Sequence, residues 1–344
     1  MKIAIITDTH YGCRKGSKVF HDYFEKFYSE IFFPTLEEEN ISTILHLGDV
    51  FDVRKSVDFQ SLEWAKCVVL EPMKKYHVHM IAGNHDAYYK NTNKLNSISL
   101  LLEKYSNIKT YINSEVINID GREILLVPWI CEANKKHTFD LIKNSKCDVI
   151  AGHLEVKGFL AHKGHIKEEG LEPEIFNKYK KVFSGHFHTR SNNGKIFYLG
   201  NPYEMFWNDV DDVRGFTIFD TDNLEHYFVN NPFSLFKTIV YDETDCIDFD
   251  FSQYSNKIVK VIIKNKKCDN NYEKFINELL KQDVVELKVV ENFQQPEIDN
   301  FDIEDTEDTL TILNKYIENI DVDLDKSKIL NIMNDIYNKS YEMV

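Results

Sequence analysis

Five short apolar runs in this chain each stop at a cluster of side chains able to hold a cation. They are IAIITDTH (Asp8, His10), ILHLGDVFD (Asp49, Asp52), HMIAGNHD (Asn84, His85, Asp86), VIAGH (His153) and VFSGHFH (His186, His188). Four of them put a glycine directly before the polar residue: Gly48, Gly83, Gly152 and Gly185. Short apolar runs fit buried strands. Glycine at the end of one permits a sharp exit and a close approach of backbone to a ligand. Because sites in α/β sheets form just beyond the carboxyl ends of strands, the five clusters are expected along one sheet rim.

The segments between the runs are amphipathic. KVFHDYFEKFYSEIFFPTLEEE (18–39) is expected to be mostly helical, with Pro34 marking a break, and its Phe20, Phe24, Phe27 and Tyr28 recur at core-facing helical steps. DFQSLEWAKCVVLEPMKKY (58–76) predicts another helix. Strands alternating with helices indicate an α/β sandwich flanked by helices, with largely parallel strands, over residues 1–232. From about residue 213 the pattern turns hairpin-like, and 233–291 predicts a small α+β unit. Residues 292–308 are acidic and nearly free of aliphatic runs, as expected of a linker, and two amphipathic helices are expected over 309–344.

A length of 344 residues suits two domains with an appendage, and 43% hydrophobic content suffices for a sizeable core. The formal charge of −15 argues against a protein that coats nucleic acid unaided. It leaves room for a nucleic-acid enzyme, since bound cations invert the local potential. The six cysteines are scattered without a C-x-x-C pair, which fits reduced thiols. With no apolar stretch long enough to span a membrane, and Asp8 where a secretory leader would still be apolar, a cytoplasmic protein is expected.

Imidazole, carboxylate and carboxamide donors without thiolate suit Mn²⁺, Fe²⁺ or Zn²⁺. Seven strong donors exceed the needs of one ion, so two ions are favoured, and one carboxylate, Asp49, can bridge them. In an extended segment His186 and His188 point the same way and Phe187 opposite, which places each histidine to serve one ion. Taken singly, each cluster is most simply a solvated loop residue; all five in order at strand exits are not. Other features keep the plainer assignment. His77 and His79 precede the rim, His46 lies within a strand, and His162 and His165 are taken as surface residues. Arg14, Lys15, Arg54, Lys55, Lys90 and Arg190 lie near the clusters in sequence and are most simply solvated charges.

The ordered set D-x-H, G-D-x-x-D, G-N-H-D, G-H and G-H-x-H resembles the calcineurin-like metallophosphoesterase superfamily. Within it, GDVFDVRK, VPWICEAN, GLEP and SGHFHT resemble the nuclease subunits of SbcCD-type double-strand-break repair exonucleases, and especially the recombination endonuclease subunits of T-even-like bacteriophages. The resemblance implies two divalent ions, Mn²⁺ ahead of Mg²⁺. One would be held by Asp8, His10, Asp49 and His188, the other by Asp49, Asn84, His153 and His186. It implies that His85 acts on the phosphate or leaving group rather than on an ion. It further implies DNA as substrate, a homodimer, no membrane association, and an SbcC-type ATPase partner bound through the C-terminal helices. One position departs from the pattern. Cellular relatives commonly carry histidine three residues after the bridging aspartate, where this chain has Asp52.

Two other functions compete with a DNA nuclease. A phosphoesterase acting on small molecules or phosphoproteins would need neither the α+β unit nor the helical tail. A non-catalytic scaffold for the ATPase would have no use for the full ligand set and His85.

Overall fold

A computed structural model of the chain describes residues 1–243 and 249–291. The expected acidic linker and helical tail (292–344) lie outside the described residues, as does Cys246. Residues Met1–Val290 form one compact unit.

Its centre is two six-stranded sheets. The first runs in the order His226–Asn230, Gly215–Asp220, Lys2–Ile6, Thr43–His46, His77–Ile81, Ile108–Tyr111. The second runs Ser191–Asn192, Ile196–Tyr198, Lys181–Gly185, Val149–His153, Arg122–Val127, Glu115–Ile119. The strands that end in the polar clusters pair in parallel within each sheet; the first sheet continues antiparallel on one side and parallel, through Ile108–Tyr111, on the other, and the second has an antiparallel strand at each edge. Ile6 pairs with His46, His46 with Met80, and Gly185 with His153, so the clusters leave the sheets at common rims.

Strand alternation builds three layers. Ile3, Ile5, Leu45, Leu126, Phe183 and Phe219 fill the space between the sheets. Ala4, Ile6, Ile44 and Val78 face the other way and pack with the aromatic stripe Phe20, Phe24, Phe27 and Tyr28. The outer face of the second sheet is covered by its own cluster around Leu125, Ile150, Val182 and Phe176. Beyond the sandwich, Phe236–Asp242, Ile258–Asn265 and Glu286–Glu291 form a three-stranded sheet, with helix Asp269–Leu280 adjoining it in sequence. Tyr241, Val259, Val261, Phe275 and Leu279 pack together in this part, while Phe236 and Ile258 join the main core.

Pro34 does not break its helix. A π-turn at Tyr28–Phe32 precedes it, and α-helix resumes at Phe33–Glu38 with Pro34 in the first turn. The second helix repeats the device, with a π-turn at Lys66–Leu70 ahead of Pro72. A widened turn relieves the clash between a proline ring and the carbonyl four residues earlier, so the helix bends instead of ending. Among the described residues no helix is long and apolar enough to cross a membrane.

Phe216 is 1% exposed and meets Phe32 edge-on, with ring centroids 4.9 Å apart, which ties the first sheet to the aromatic helix. Phe216→Ala is expected to lower stability by about 3–5 kcal/mol in denaturant unfolding. A loss under about 1 kcal/mol would show that this contact does not hold the layers together.

Candidate metal centre

The backbone brings the clusters together before any side chain does. Asp8 N–H donates to the Gly48 carbonyl and His10 N–H to the Asp49 carbonyl, both at 3.0 Å, which zips the first two strand exits together. The exits are too tight for side chains. A Cβ on Gly83 would lie 2.1 Å from Asp49 Oδ1, and one on Gly48 would meet the Gly83 backbone at 2.7 Å. Asp8, His10, Asp49 and His186 all adopt positive φ, between 44° and 86°. Such strain persists only where the surroundings over-determine it, and it concentrates at functional sites.

The side chains converge in two groups that share one rim. Asp8, His10 and His188 have ligand atoms within 4.8 Å of one another, and so do Asp49, His153 and His186. Asn84 Oδ1 joins the second group, 2.8 Å from His153 Nε2 and 2.9 Å from His186 Nδ1. Asp49 Oδ2 lies between the groups, 3.3 Å from His153 Nε2 and 3.8 Å from His10 Nε2. His186 and His188 therefore go one to each group, though not by strand alternation. The strand ends at Gly185, and the left-handed His186 redirects its own ring.

Ring orientations are set by neighbours. His153 Nδ1 donates to the Leu47 carbonyl at 2.7 Å, which turns Nε2 inward. Asp52 Oδ1 lies 3.2 Å from His10 Nδ1, so His10 also presents Nε2, 3.2 Å from His188 Nε2. A carboxylate behind a histidine in this way fixes the ring and raises its basicity. Asp52 thus orients His10. His85 lies beside them, its ring 4.8 Å from that of His10, with Nδ1 donating to the Asp52 carbonyl at 2.5 Å.

The electrostatics fit a cation. Burial disfavours charge on His10, but Asp52 and Asp49 outweigh it and lift the ring to about 9. Burial likewise opposes charge on His153, and Asp49 overcomes it, again giving about 9. His186 is held neutral, at about 3, by burial and then by His153; His188 is pushed well down by burial and then by His10. Burial raises Asp8 to about 6. Burial opposes the charge on Asp49 too, yet His153 and His85 keep it well below the usual carboxylate range. Protonated His10 facing neutral His188, and protonated His153 facing Asn84, hold positive charge where donor atoms crowd. A divalent ion would replace those protons and satisfy the same acceptors.

Several residues play parts that the sequence does not announce. Asp86 is no ligand: Oδ2 accepts from Asp49 N–H and Gly83 N–H at 2.9 Å, and Oδ1 accepts from Val50 N–H and Ser97 Oγ at 3.1 Å. Arg214, 2% exposed, donates to the His188 carbonyl and to Asp209. Phe206 lies parallel to His188, and Trp129 packs 5.0 Å from His186. Arg190 is not a solvated charge; it lies 3.6 Å over Phe228 and donates to the Leu199 carbonyl. His46, fully buried, meets Thr9 Oγ1 at 3.0 Å and His79 meets the Tyr111 hydroxyl at 2.6 Å, both away from the two donor groups. His162 and His165 stack on each other in a short hairpin.

Residues 1–190 match the sequence model of the calcineurin-like phosphoesterases. Exonuclease subunit 1 of Enterobacteria phage T4 is 34% identical over 305 residues, 88% of each chain. The DNA double-strand break repair protein Mre11 of Saccharolobus solfataricus is 25% identical over 305 residues, covering 78% of this chain and 76% of that one. Among solved structures, an archaeal phosphodiesterase is similar with a TM-score of 0.34 and 13% identity, over 67% of this chain and 100% of that one.

The approach of Gly83 to Asp49 generates a test. Gly83→Ala must displace the Asp49 carboxylate, and Mn²⁺ titration calorimetry is expected to show cation binding weakened by at least about tenfold, the equivalent of 1.4 kcal/mol. Unchanged binding would mean that Asp49 does not hold a cation from this position.

Proposed function

The chain belongs to the calcineurin-like phosphoesterase family, and from that premise we propose that it is a metal-dependent DNA nuclease subunit acting in recombination and double-strand-break repair. The observation that carries the proposal is the position of Asp49 between two donor groups, within 4 Å of a histidine from each. In this assignment Asp8, His10, Asp49 and His188 hold one divalent ion, and Asp49, Asn84, His153 and His186 hold the other, with Mn²⁺ ahead of Mg²⁺. Bound there, the ions supply charge to offset the phosphate oxygens and acidify a nucleophilic water.

The protein's own groups do the rest. Asp49 sets the spacing of the two groups, and its Oδ1 is fixed by the His85 N–H at 2.8 Å. His85 Nδ1 donates to the Asp52 carbonyl, which turns Nε2 toward the position of the departing oxygen; only the imidazolium form of the ring can give that oxygen a proton from Nε2. Asp52 thereby serves twice, through its carboxylate to His10 and its carbonyl to His85.

The names of the two relatives, an exonuclease subunit and a double-strand break repair protein, support DNA as the substrate and work within a complex. An SbcC-type ATPase bound through residues 309–344, and a homodimer, belong to the same proposal. Its test is a comparison of substrates. With Mn²⁺, the protein is expected to digest single- or double-stranded oligonucleotides in strong preference to a simple phosphomonoester. His85→Ala is expected to lower that rate by about 10²–10⁴-fold while cation content stays constant. Phosphomonoester turnover without DNA cleavage would instead identify a small-molecule or phosphoprotein phosphoesterase.

A further inference from the structure

We infer that a cavity beside the metal centre receives an unstacked nucleobase of the strand being cut, held against the ring of Phe139. The inference rests on the DNA-nuclease function proposed above and adds a substrate-reading site to it. A cavity of about 420 Å³ adjoins His153, within the range of small-molecule sites, roughly 300–1,000 Å³. Trp129, Ile130, Phe139 and Leu171 supply its apolar lining. Glu132, Lys135 and Phe139, spaced at three and four residues, bring one face of helix Glu132–Asn144 to it. Phe139 is half-buried and stands outside the apolar clusters of the described core.

The wall is rigid and continuous with the metal centre. Trp129 N–H donates to the Ala82 carbonyl at 2.8 Å, and its own carbonyl accepts from Asn93 Nδ2 at 2.8 Å and Asn134 Nδ2 at 3.0 Å. Asn134 Oδ1 in turn accepts from Cys131 N–H at 2.9 Å. Both asparagines are 3% exposed, and their bonds give the VPWICEAN segment a physical purpose, fixing the turn into the helix. Trp129 also packs on the His186 and His153 rings, at 5.0 and 6.1 Å, so a phosphate at the centre has the cavity as its neighbour.

Charge argues for a base instead of a second phosphate. Lys90 and Lys135 line the cavity together with Glu132 and Glu155, so the lining itself carries as many acids as bases. A balanced rim around aromatic walls suits a neutral planar ring, and base–aromatic stacking is tolerant of base identity. Duplex DNA cannot offer such a ring without unstacking it, so the cavity would favour single-stranded or frayed ends.

The test uses full-length protein with Mn²⁺ and single-stranded oligonucleotides in which the base on one or the other side of a chosen phosphate is removed, leaving an abasic sugar. Cleavage at that phosphate is measured for wild type and for Phe139→Ala, whose ring lines the cavity and belongs to none of the core clusters. At one flanking position, base removal is expected to lower wild-type kcat/KM by roughly 5- to 140-fold, the value of one stacked base. The same removal should cost Phe139→Ala less than about twofold, each protein being its own control for folding. Equal losses in the two proteins, or no loss in wild type, would overturn the nucleobase site and leave the nuclease function standing. A wild type that hydrolyses bis(p-nitrophenyl) phosphate but cuts no DNA would overturn both.

Discussion

Everything at the rim of this sandwich depends on one buried carboxylate that touches neither substrate nor ion. Asp86 is fully buried and collects N–H groups from Asp49, Val50 and Gly83 together with the Ser97 hydroxyl. Burial raises its pKa, and the nearby Asp49 charge adds to that; the backbone donors pull the other way. A carboxylate so placed is tolerable only when its lone pairs are filled. Filling them locks the loop after the second strand against the loop after the third. Asp49 and Asn84, one from each loop, are thereby both held against His153 Nε2. With Asp86 in place the tight exits at Gly48 and Gly83 are held against each other.

That dependence explains which parts of the site were legible in the sequence. Glycine followed by a polar donor at a strand end is a local steric requirement, so the five clusters and their convergence could be read directly; the expectation of one sheet rim fails, because three clusters leave the first sheet and two leave the second. The assignment of His186 and His188 to different groups was also legible, although the alternation argument behind it fails because His186 lies in the left-handed region. Asp86 lies in a cation-competent cluster but outside the ligand set, and its bracing role shows only in the direction of its oxygens. Arg214 holds the His188 carbonyl across 26 residues with no periodic signal to announce it. Pro34 suggested a break, yet a π-turn carries the helix past it, and the same device precedes Pro72.

The charge balance of the site also bears on how an acidic chain handles a polyanion. At −15 overall the protein repels DNA at long range. Locally, Asp8 and Asp49 lie buried among imidazoles, and two of those imidazoles are basic enough to carry protons near neutral pH. The proposed ions would replace those protons with four positive charges at the rim. Attraction for a phosphate would then arise only where the strand is to be cut. Aromatic surfaces nearby, Phe206 against His188 and Trp129 against His186, exclude water on both flanks and strengthen the field.

The central claim is that Asp49 stands between two cation positions. Anomalous scattering from crystals of the Mn²⁺-soaked protein measures this directly. Two peaks are predicted, one bounded by Asp8, His10, Asp49 and His188 and the other by Asp49, Asn84, His153 and His186. A single peak at full occupancy, or peaks that leave Asp49 without contact to both, would contradict the account.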